Sequence, residues 1–428
     1  MLNNEKIYVK RSIFNKIAKH LDNEEITLII GPRQVGKTVL LQQLQKHLIS
    51  KQKISHKLIY NFNLDVIQDR ELFQDQEEFI EFLKTRSQRK KIYVFVDEAQ
   101  KIAEAGVFFK GVYDSNLNIK LVLTGSSNLE IRSKIHESLA GRKRVFHLLP
   151  FSFLEILNFK NQDLAKLISE KLKIVPYDHR LILKEFFNYC IWGGYPQIAL
   201  NENKEEKEQF LREIFSSYIE KDIIGFLKIQ NEMSFVKLIK LLAAQIGNLI
   251  NIAELSAAVQ KDRFTIERYL INLEKTFVIF SLQPYASNTR QEIIKAKKIF
   301  FIDNGLRNLS LRTLQLPLDS RVDRGALLEN TIFKELLNWQ FSQNFSLKFW
   351  RSKQKAEVDF IIEKGLEIVP IEVKSSLKNL KLPASLIGFI KRYSPKKALV
   401  VNFNIKGVRK IQNTEVNFIY PYEICHYI

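Results

Sequence analysis

The chain has 428 residues, of which 46% are hydrophobic and 26% charged, a globular balance that excludes wholesale disorder and leaves room for several domains. The formal net charge of +19 is spread along the chain and favours polyanions, nucleic acid before an anionic membrane surface. The two cysteines, Cys190 and Cys425, form no C-x-x-C, which argues against a disulfide framework or zinc knuckle and for a reducing, cytoplasmic setting. The start Met-Leu-Asn-Asn-Glu-Lys lacks the apolar core of a signal peptide. No uncharged apolar run approaches the ~20 residues of a spanning helix, so no membrane association is expected.

In chain order, short apolar or β-branched runs at 26–30, 57–62, 91–96, 119–123 and 144–149 alternate with helical patterns. That alternation predicts an α/β fold with a parallel sheet covered on both faces. From 151 to about 234 the pattern is helical, broken at Gly193-Gly194-Tyr195-Pro196. From 235 to about 310 there are short helices and a strand pair. From about 320 to 428 the order is helix, strand, strand, strand, helix, strand.

The first run leads into Gly31-Pro32-Arg33-Gln34-Val35-Gly36-Lys37-Thr38, which fits G-x-x-x-x-G-K-[ST]. A strand enters the motif, and an amphipathic helix beginning at Val39 leaves it. Main-chain amides of Gly31 to Val39 and the helix N-terminus would cradle the phosphates of ATP. Gly36 permits close backbone approach, Lys37 supplies a positive charge for the β- and γ-oxygens, and Thr38 offers its hydroxyl to Mg²⁺. The strand ending Val96-Asp97-Glu98 places two carboxylates where an open α/β sheet binds ligands. Asp97 is expected at Mg²⁺ and Glu98 at the attacking water.

The run 121–124 ends in Gly125-Ser126-Ser127-Asn128. Ser127 is the favoured γ-phosphate sensor, with Ser126 or Asn128 as alternatives and a helix N-cap as the competing reading. Arg142, in Ala-Gly-Arg-Lys-Arg, is either an arginine finger, in cis or from a neighbouring subunit, or a residue of a solvated basic turn.

These motifs, with Val-Asp-Glu-Ala-Gln (96–100), Leu-Thr-Gly-Ser-Ser (123–127), Ser-Leu-Ala-Gly-Arg (138–142) and Leu-Pro-Phe-Ser-Phe-Leu-Glu (149–155), resemble one family. It is the prokaryotic AAA-type ATPases that carry a C-terminal domain of unknown function. Gly-Gly-Tyr-Pro (193–196), Tyr-Ile-Glu-Lys-Asp-Ile (218–223) and Phe-Ile-Asp-Asn-Gly-Leu-Arg-Asn (301–308) extend the resemblance over nearly the whole chain. The resemblance implies an ATPase and leaves its cellular role unassigned. On this reading 1–150 is a P-loop domain with a RecA/AAA-like sheet and 151–234 a helical lid.

Segment 235–310 reads as a winged-helix module, with helices near 252–260 and 264–275 and wing strands near 277–282 and 298–302. Arg263, Thr265 and Arg268, with Arg290, Lys295 and Lys297 of the wing, suit DNA. The alternative is a packing module that joins two domains.

Segment 320–428 places Glu329 on a helix, Asp359 on one strand, and Glu372 and Lys374 two apart on the next. Alternation aims Glu372 and Lys374 at one face. Asp359 and Glu372 can hold Mg²⁺ through oxygen, Lys374 can serve a water or a phosphate, and Glu329 can add an oxygen. This order resembles the restriction-endonuclease-like fold with its D…E-x-K site; the competing reading is a plain Glu–Lys ion pair.

The expected function is a Mg²⁺-dependent ATPase coupled to nucleic-acid binding and cleavage. The alternative is an ATP-driven switch with an inert C-terminal domain read by a protein partner. A homo-oligomer is left open.

Overall fold

The computed structural model describes residues 8–126, 138–217, 232–286, 296–343 and 345–428. They divide into two compact units. The first is 1–149 with 275–277, and the second is 150–274 with 278–428. The residues of the expected lid, winged-helix and C-terminal segments fall in the second unit, apart from 275–277.

The first unit is built on five parallel strands: β1 (Ile26–Gly31), β2 (Ile59–Asn63), β3 (Ile92–Asp97), β4 (Ile119–Ser126) and β5 (Lys143–His147). Their order is β2-β3-β4-β1-β5. Every residue of β1 and β3 is buried, which is why both read as continuous apolar runs and not as alternating ones. Ile26, Leu28, Val94, Val96, Leu121 and Leu123 share a core with Phe79 and Phe109. The helix Lys37–Ser50 buries Leu40, Leu41, Leu44 and Leu48 along one stripe. The order places β4 between the strand that carries the glycine loop and the strand that carries the acidic pair. The C-terminal ends of all three lie on one edge.

The second unit has a two-stranded hairpin, β6 (Ile279–Leu282) with β7 (Lys298–Phe301). It also has a mixed sheet of β8 (Ser346–Arg351), β9 (Glu357–Lys364), β10 (Glu367–Lys374), β11 (Lys397–Asn402), β12 (Gly407–Ile411) and β13 (Thr414–Ile419). The sheet order is β12-β13-β11-β10-β9-β8. β8 to β10 form an antiparallel meander, and β10 joins β11 in parallel through the helix Ala384–Tyr393. The expected helix–strand–strand–strand–helix–strand order is present. β12 and β13 lie beyond it and were not expected: the central β12 residues Val408, Arg409 and Lys410 are exposed and carry no apolar signal.

The reason the later segments cohere is a buried polar junction. Asp303 caps the helix Asn304–Ser310 and also accepts the Gly194 N–H at 2.7 Å. Asn304 donates to the Cys190 carbonyl at 2.9 Å and Asn308 to the Ile191 carbonyl at 2.8 Å. Asn330, on the helix Arg324–Ser342, donates to the Phe301 carbonyl at 2.9 Å and accepts its N–H at 2.8 Å. Each pairing satisfies a main-chain group at an element end that burial would otherwise orphan. The Gly-Gly-Tyr-Pro and Phe-Ile-Asp-Asn-Gly-Leu-Arg-Asn motifs are thus partners in packing.

Among the described residues no helix is long and apolar enough to cross a membrane.

Candidate functional site

β1 runs into the glycine loop, and the chain passes so close that a Cβ on Gly31 would stand 2.0 Å from the Leu148 carbonyl oxygen. Gly36 sits at φ 90° and Gln34 at φ 57°, left-handed positions that curl the loop before the helix Lys37–Ser50 begins. Lys37 is 5% exposed, and its Nζ donates to the carbonyls of Gly31 at 3.2 Å and Pro32 at 2.9 Å. The ammonium is therefore held inside the loop. Gln34 and Val39 are exposed at its rim, Arg33 is half-buried, and Val35 is fully buried.

The Thr38 hydroxyl donates to Asp97 Oδ2 at 2.5 Å. Thr124, on β4, donates to Asp97 Oδ1 and accepts the Glu98 N–H at 3.1 Å. Asp97 is 3% exposed, so both carboxylate oxygens are fixed by hydroxyls. Glu98 follows it in a left-handed conformation at φ 57° and accepts a hydrogen bond from Gln100. That backbone turn carries the second carboxylate off the strand line. Such a donor set fits a nucleotide with Mg²⁺: a curled loop, an enclosed ammonium, and a hydroxyl paired with a buried carboxylate.

Two participants were missed in the sequence. Thr124 stands just before the polar run 125–128 and carries no mark of its own in the sequence; Ser127 and Asn128 of that run lie outside the described residues. Arg11 donates to the Val35 carbonyl at 3.0 Å and to the Leu149 carbonyl at 2.6 Å, tying the loop to the end of the unit. It carried no local signal, because its partners are 24 and 138 positions away.

Arg142 requires a correction. β5 pairs in parallel with β1, with Ile26 opposite Lys143 and Ile30 opposite His147. Arg142 therefore stands at the N-terminal edge of the sheet, whereas the glycine loop leaves the C-terminal edge, a strand length of roughly 16 Å away. Its guanidinium is paired with Asp114 at 2.7 and 3.2 Å, and that contact raises its pKa. A finger acting in cis is excluded by the parallel register.

The second candidate site lies on the mixed sheet. β9 carries Glu357 and Asp359 on one face, β10 carries Glu372 and Lys374, and the helix Arg324–Ser342 carries Glu329. The expected residues do converge. Lys374 pairs with Glu372 Oε1 at 2.7 Å, and Asp359 Oδ2 accepts the Val373 N–H at 2.7 Å. Glu372 Oε2 is buried without a hydrogen-bond partner. Burial, reinforced by Asp359, pushes the Glu372 carboxyl up to about 7. Burial opposes the charge of Lys374, but Glu372 and Asp359 hold its pKa above the ordinary lysine value.

One member was assigned elsewhere from sequence. Lys298, placed in a wing strand, turns its side chain into this cluster. Its Nζ lies 2.6 Å from Glu357 Oε1, 3.1 Å from Glu329 Oε1 and 4.0 Å from Asp359 Oδ1. Glu329, expected to add an oxygen to a metal, therefore serves an ammonium. Among the described residues no group of three or more His, Cys, Asp or Glu is disposed to hold a metal ion.

The helix Arg263–Lys275 follows Ile252–Val259 after a left-handed Gln260. Ile266, Leu270 and Leu273 face inward as expected, and Arg263, Phe264 and Arg268 are exposed. Asp262 caps it through the Thr265 N–H at 2.9 Å, and Arg263 is engaged with Glu267 at 2.9 Å. β7 is buried throughout, Lys297 is half-buried, and Arg290 and Lys295 lie outside the described residues. β7, one strand of the expected wing, pairs antiparallel with β6 and is buried.

The parallel sheet, the glycine loop and the Thr38–Asp97 pair form a P-loop nucleotide-binding arrangement. Residues 23–157 match the family model described as an AAA domain. Residues 183–316 and 324–423 match two domains of unknown function, DUF8612 and DUF4143. An uncharacterized protein of Haemophilus influenzae is 27% identical over 370 residues, covering 85% of this chain and 86% of that protein. An uncharacterized protein of Methanocaldococcus jannaschii is 29% identical over 371 residues, covering 85% of this chain and 78% of that protein. Among solved structures, the Aeropyrum pernix ORC1 protein in complex with DNA aligns with TM-score 0.31 and 12% identity over 73% of this chain and 94% of its own. Thermotoga maritima RuvB aligns with TM-score 0.30 and 13% identity over 62% and 85%.

Proposed function

We propose that the chain is a Mg²⁺-dependent ATPase whose turnover is coupled to nucleic acid. The observation that carries the ATPase reading is the 2.5 Å bond from Thr38 to Asp97 beside an enclosed Lys37. In this reading the loop amides and Lys37 bind the β- and γ-phosphates, while Thr38 and Asp97 hold Mg²⁺, which neutralises phosphate charge when bound. Glu98 orients the attacking water. Thr124 keeps Asp97 and the Glu98 backbone in register, and Ser127 remains the γ-phosphate sensor. A role for Arg142 requires a second copy of the chain.

The nucleic-acid reading is supported by the +19 charge and by the exposed Arg263 and Arg268. Asp359, Glu372 and Lys374 converge as a D…E-x-K site would require, and phosphodiester cleavage is the chemistry they suit. The test is ATP turnover of the full chain with and without single- and double-stranded DNA, and DNA cleavage by Lys374→Ala beside the unaltered protein. Affinity for DNA should fall with log salt at a slope of about −0.9 per phosphate contact. A folded sample without Mg²⁺-dependent affinity for ATP overturns the ATPase reading. Cleavage and binding indifferent to Lys374→Ala overturn the nuclease reading.

A second reading is favoured by one observation. Lys298 already neutralises part of the C-terminal carboxylate cluster, as a switch whose C-terminal fold serves only binding would allow. Absence of any salt-sensitive DNA affinity would select it.

A further inference from the structure

Lys298 is 1% exposed, and the hairpin strand that carries it delivers its ammonium among side chains of two other elements. Glu357 and Glu329 are in direct contact with it, and Asp359 stands at 4.0 Å. Arg351 approaches the other oxygen of Glu357 at 3.1 Å. A cation surrounded by carboxylate oxygens is the environment a divalent metal demands, but here a covalently attached ammonium fills it. Four carboxylates, Glu329, Glu357, Asp359 and Glu372, face three cationic side chains, Lys298, Arg351 and Lys374. Glu372 Oε2, on a side chain 3% exposed, is buried without a hydrogen-bond partner.

We propose that Lys298 is the resident cation of the C-terminal carboxylate cluster, a side-chain ammonium in the position of one divalent ion, so that only the Asp359–Glu372 pair is open to a divalent metal. The assignment of that remaining ion rests on the D…E-x-K reading; the role of Lys298 does not. The ammonium is fixed by the chain, cannot diffuse away and bars a second metal by charge and by occupancy. It also binds the β6–β7 hairpin to the sheet at the point where the carboxylates meet.

The test is Mn²⁺ binding to the nucleotide-free full chain in an Asp97→Asn background, which removes the carboxylate of the phosphate-loop site. Bound ions are counted from the loss of the free-Mn²⁺ spin-resonance signal, and thermal unfolding is followed with and without Mn²⁺. Lys298→Met is expected to bind one ion more per chain than the background, and its unfolding temperature should rise with Mn²⁺ by more than that of the background. Lys298→Arg, which keeps the charge, should bind the background number. If Lys298→Met fails to fold, Lys298→Gln, which keeps a polar side chain and removes the charge, should also bind one additional ion. An unchanged count and unchanged response to Mn²⁺ in the folded Lys298→Met or Lys298→Gln variant overturns the proposal. A background that binds one ion, lost in Glu372→Gln, supports the assignment of the remaining site. A background that binds none while Lys298→Met binds one upholds the role of Lys298 and overturns the metal-dependent nuclease reading.

Discussion

Thr38 donates its hydroxyl to Asp97 across 59 positions of sequence and 2.5 Å of space. The bond joins the first turn of the helix behind the glycine loop to the C-terminal end of β3. Since β4 separates β1 from β3, the pair forms only when all three strands end at one level.

Lys37→Ala removes an ammonium that the loop holds ready for phosphate. Charge-assisted hydrogen bonds contribute about 1.5–3 kcal/mol each, so the affinity for ATP with Mg²⁺ should fall by about a hundredfold or more. Glu98→Gln should retain that affinity and slow turnover by about 10²–10⁴-fold, the usual range for loss of a positioned base. Nucleotide titration and steady-state turnover check both. Normal turnover by Glu98→Gln would remove Glu98 from the water-orienting role.

Thr124→Val keeps the shape of the side chain and deletes the hydroxyl shared by Asp97 and the Glu98 N–H. Leaving such partners unsatisfied costs about 1–3 kcal/mol. The Mg²⁺ concentration that half-saturates turnover should rise, while nucleotide affinity measured without Mg²⁺ stays unchanged. An unaltered Mg²⁺ dependence would show that the hydroxyl does not position the carboxylate.

Arg142→Ala should leave turnover of dilute, monomeric protein within about twofold, since surface substitutions away from a site have small effects. A loss confined to high protein concentration would instead reveal action on a neighbouring copy. Turnover measured across a dilution series separates the two.

Asp323 offers a pH test. Burial works against its charge, but hydrogen bonds from Arg321 and Arg307 hold the carboxyl down at about 2, below its ordinary 3.8. Because the folded value is the lower one, its stabilising contribution is complete above pH 3.8 and is lost as pH falls through about 2. Asp323→Asn should flatten this acid limb. At neutral pH it should also cost about 3–5 kcal/mol, because the buried Arg307 loses its counter-charge. Denaturant unfolding at a series of pH values measures both, and an acid limb as steep as before would refute the assignment.

Gly193 sits at φ 76°, and a Cβ there would meet Asp303 Oδ1 at 2.0 Å. Gly193→Ala should therefore destabilise the second unit by at least about 1–3 kcal/mol, read as a lower denaturation midpoint at unchanged slope.

The nucleotide site was legible in the sequence to the extent that it is local. Gly31 to Thr38 are contiguous, and the acidic pair follows an apolar run. Burial on both faces made β1 and β3 stand out as continuous apolar stretches. The C-terminal carboxylates were legible for a related reason: strand alternation puts Glu372 and Lys374 on one side whatever the surroundings. Thr124 and Arg11 were not legible, because an isolated Thr or Arg acquires its role only from neighbours supplied by other elements.

The sequence by itself determined the phosphate loop, the strand that delivers Asp97 and Glu98, and the chain order of elements from the helix Arg324–Ser342 to β11, since each follows from periodicity or a short motif along the chain. Only the tertiary structure decided that Arg142 stands at the opposite edge of the sheet from the loop, that Asp303, Asn304 and Asn308 meet Gly194, Cys190 and Ile191, and that Lys298 enters the carboxylate cluster. Those outcomes depend on strand register and on which side chains burial forces to meet, and residues remote in sequence carry no local mark of the partner that will neutralise or satisfy them.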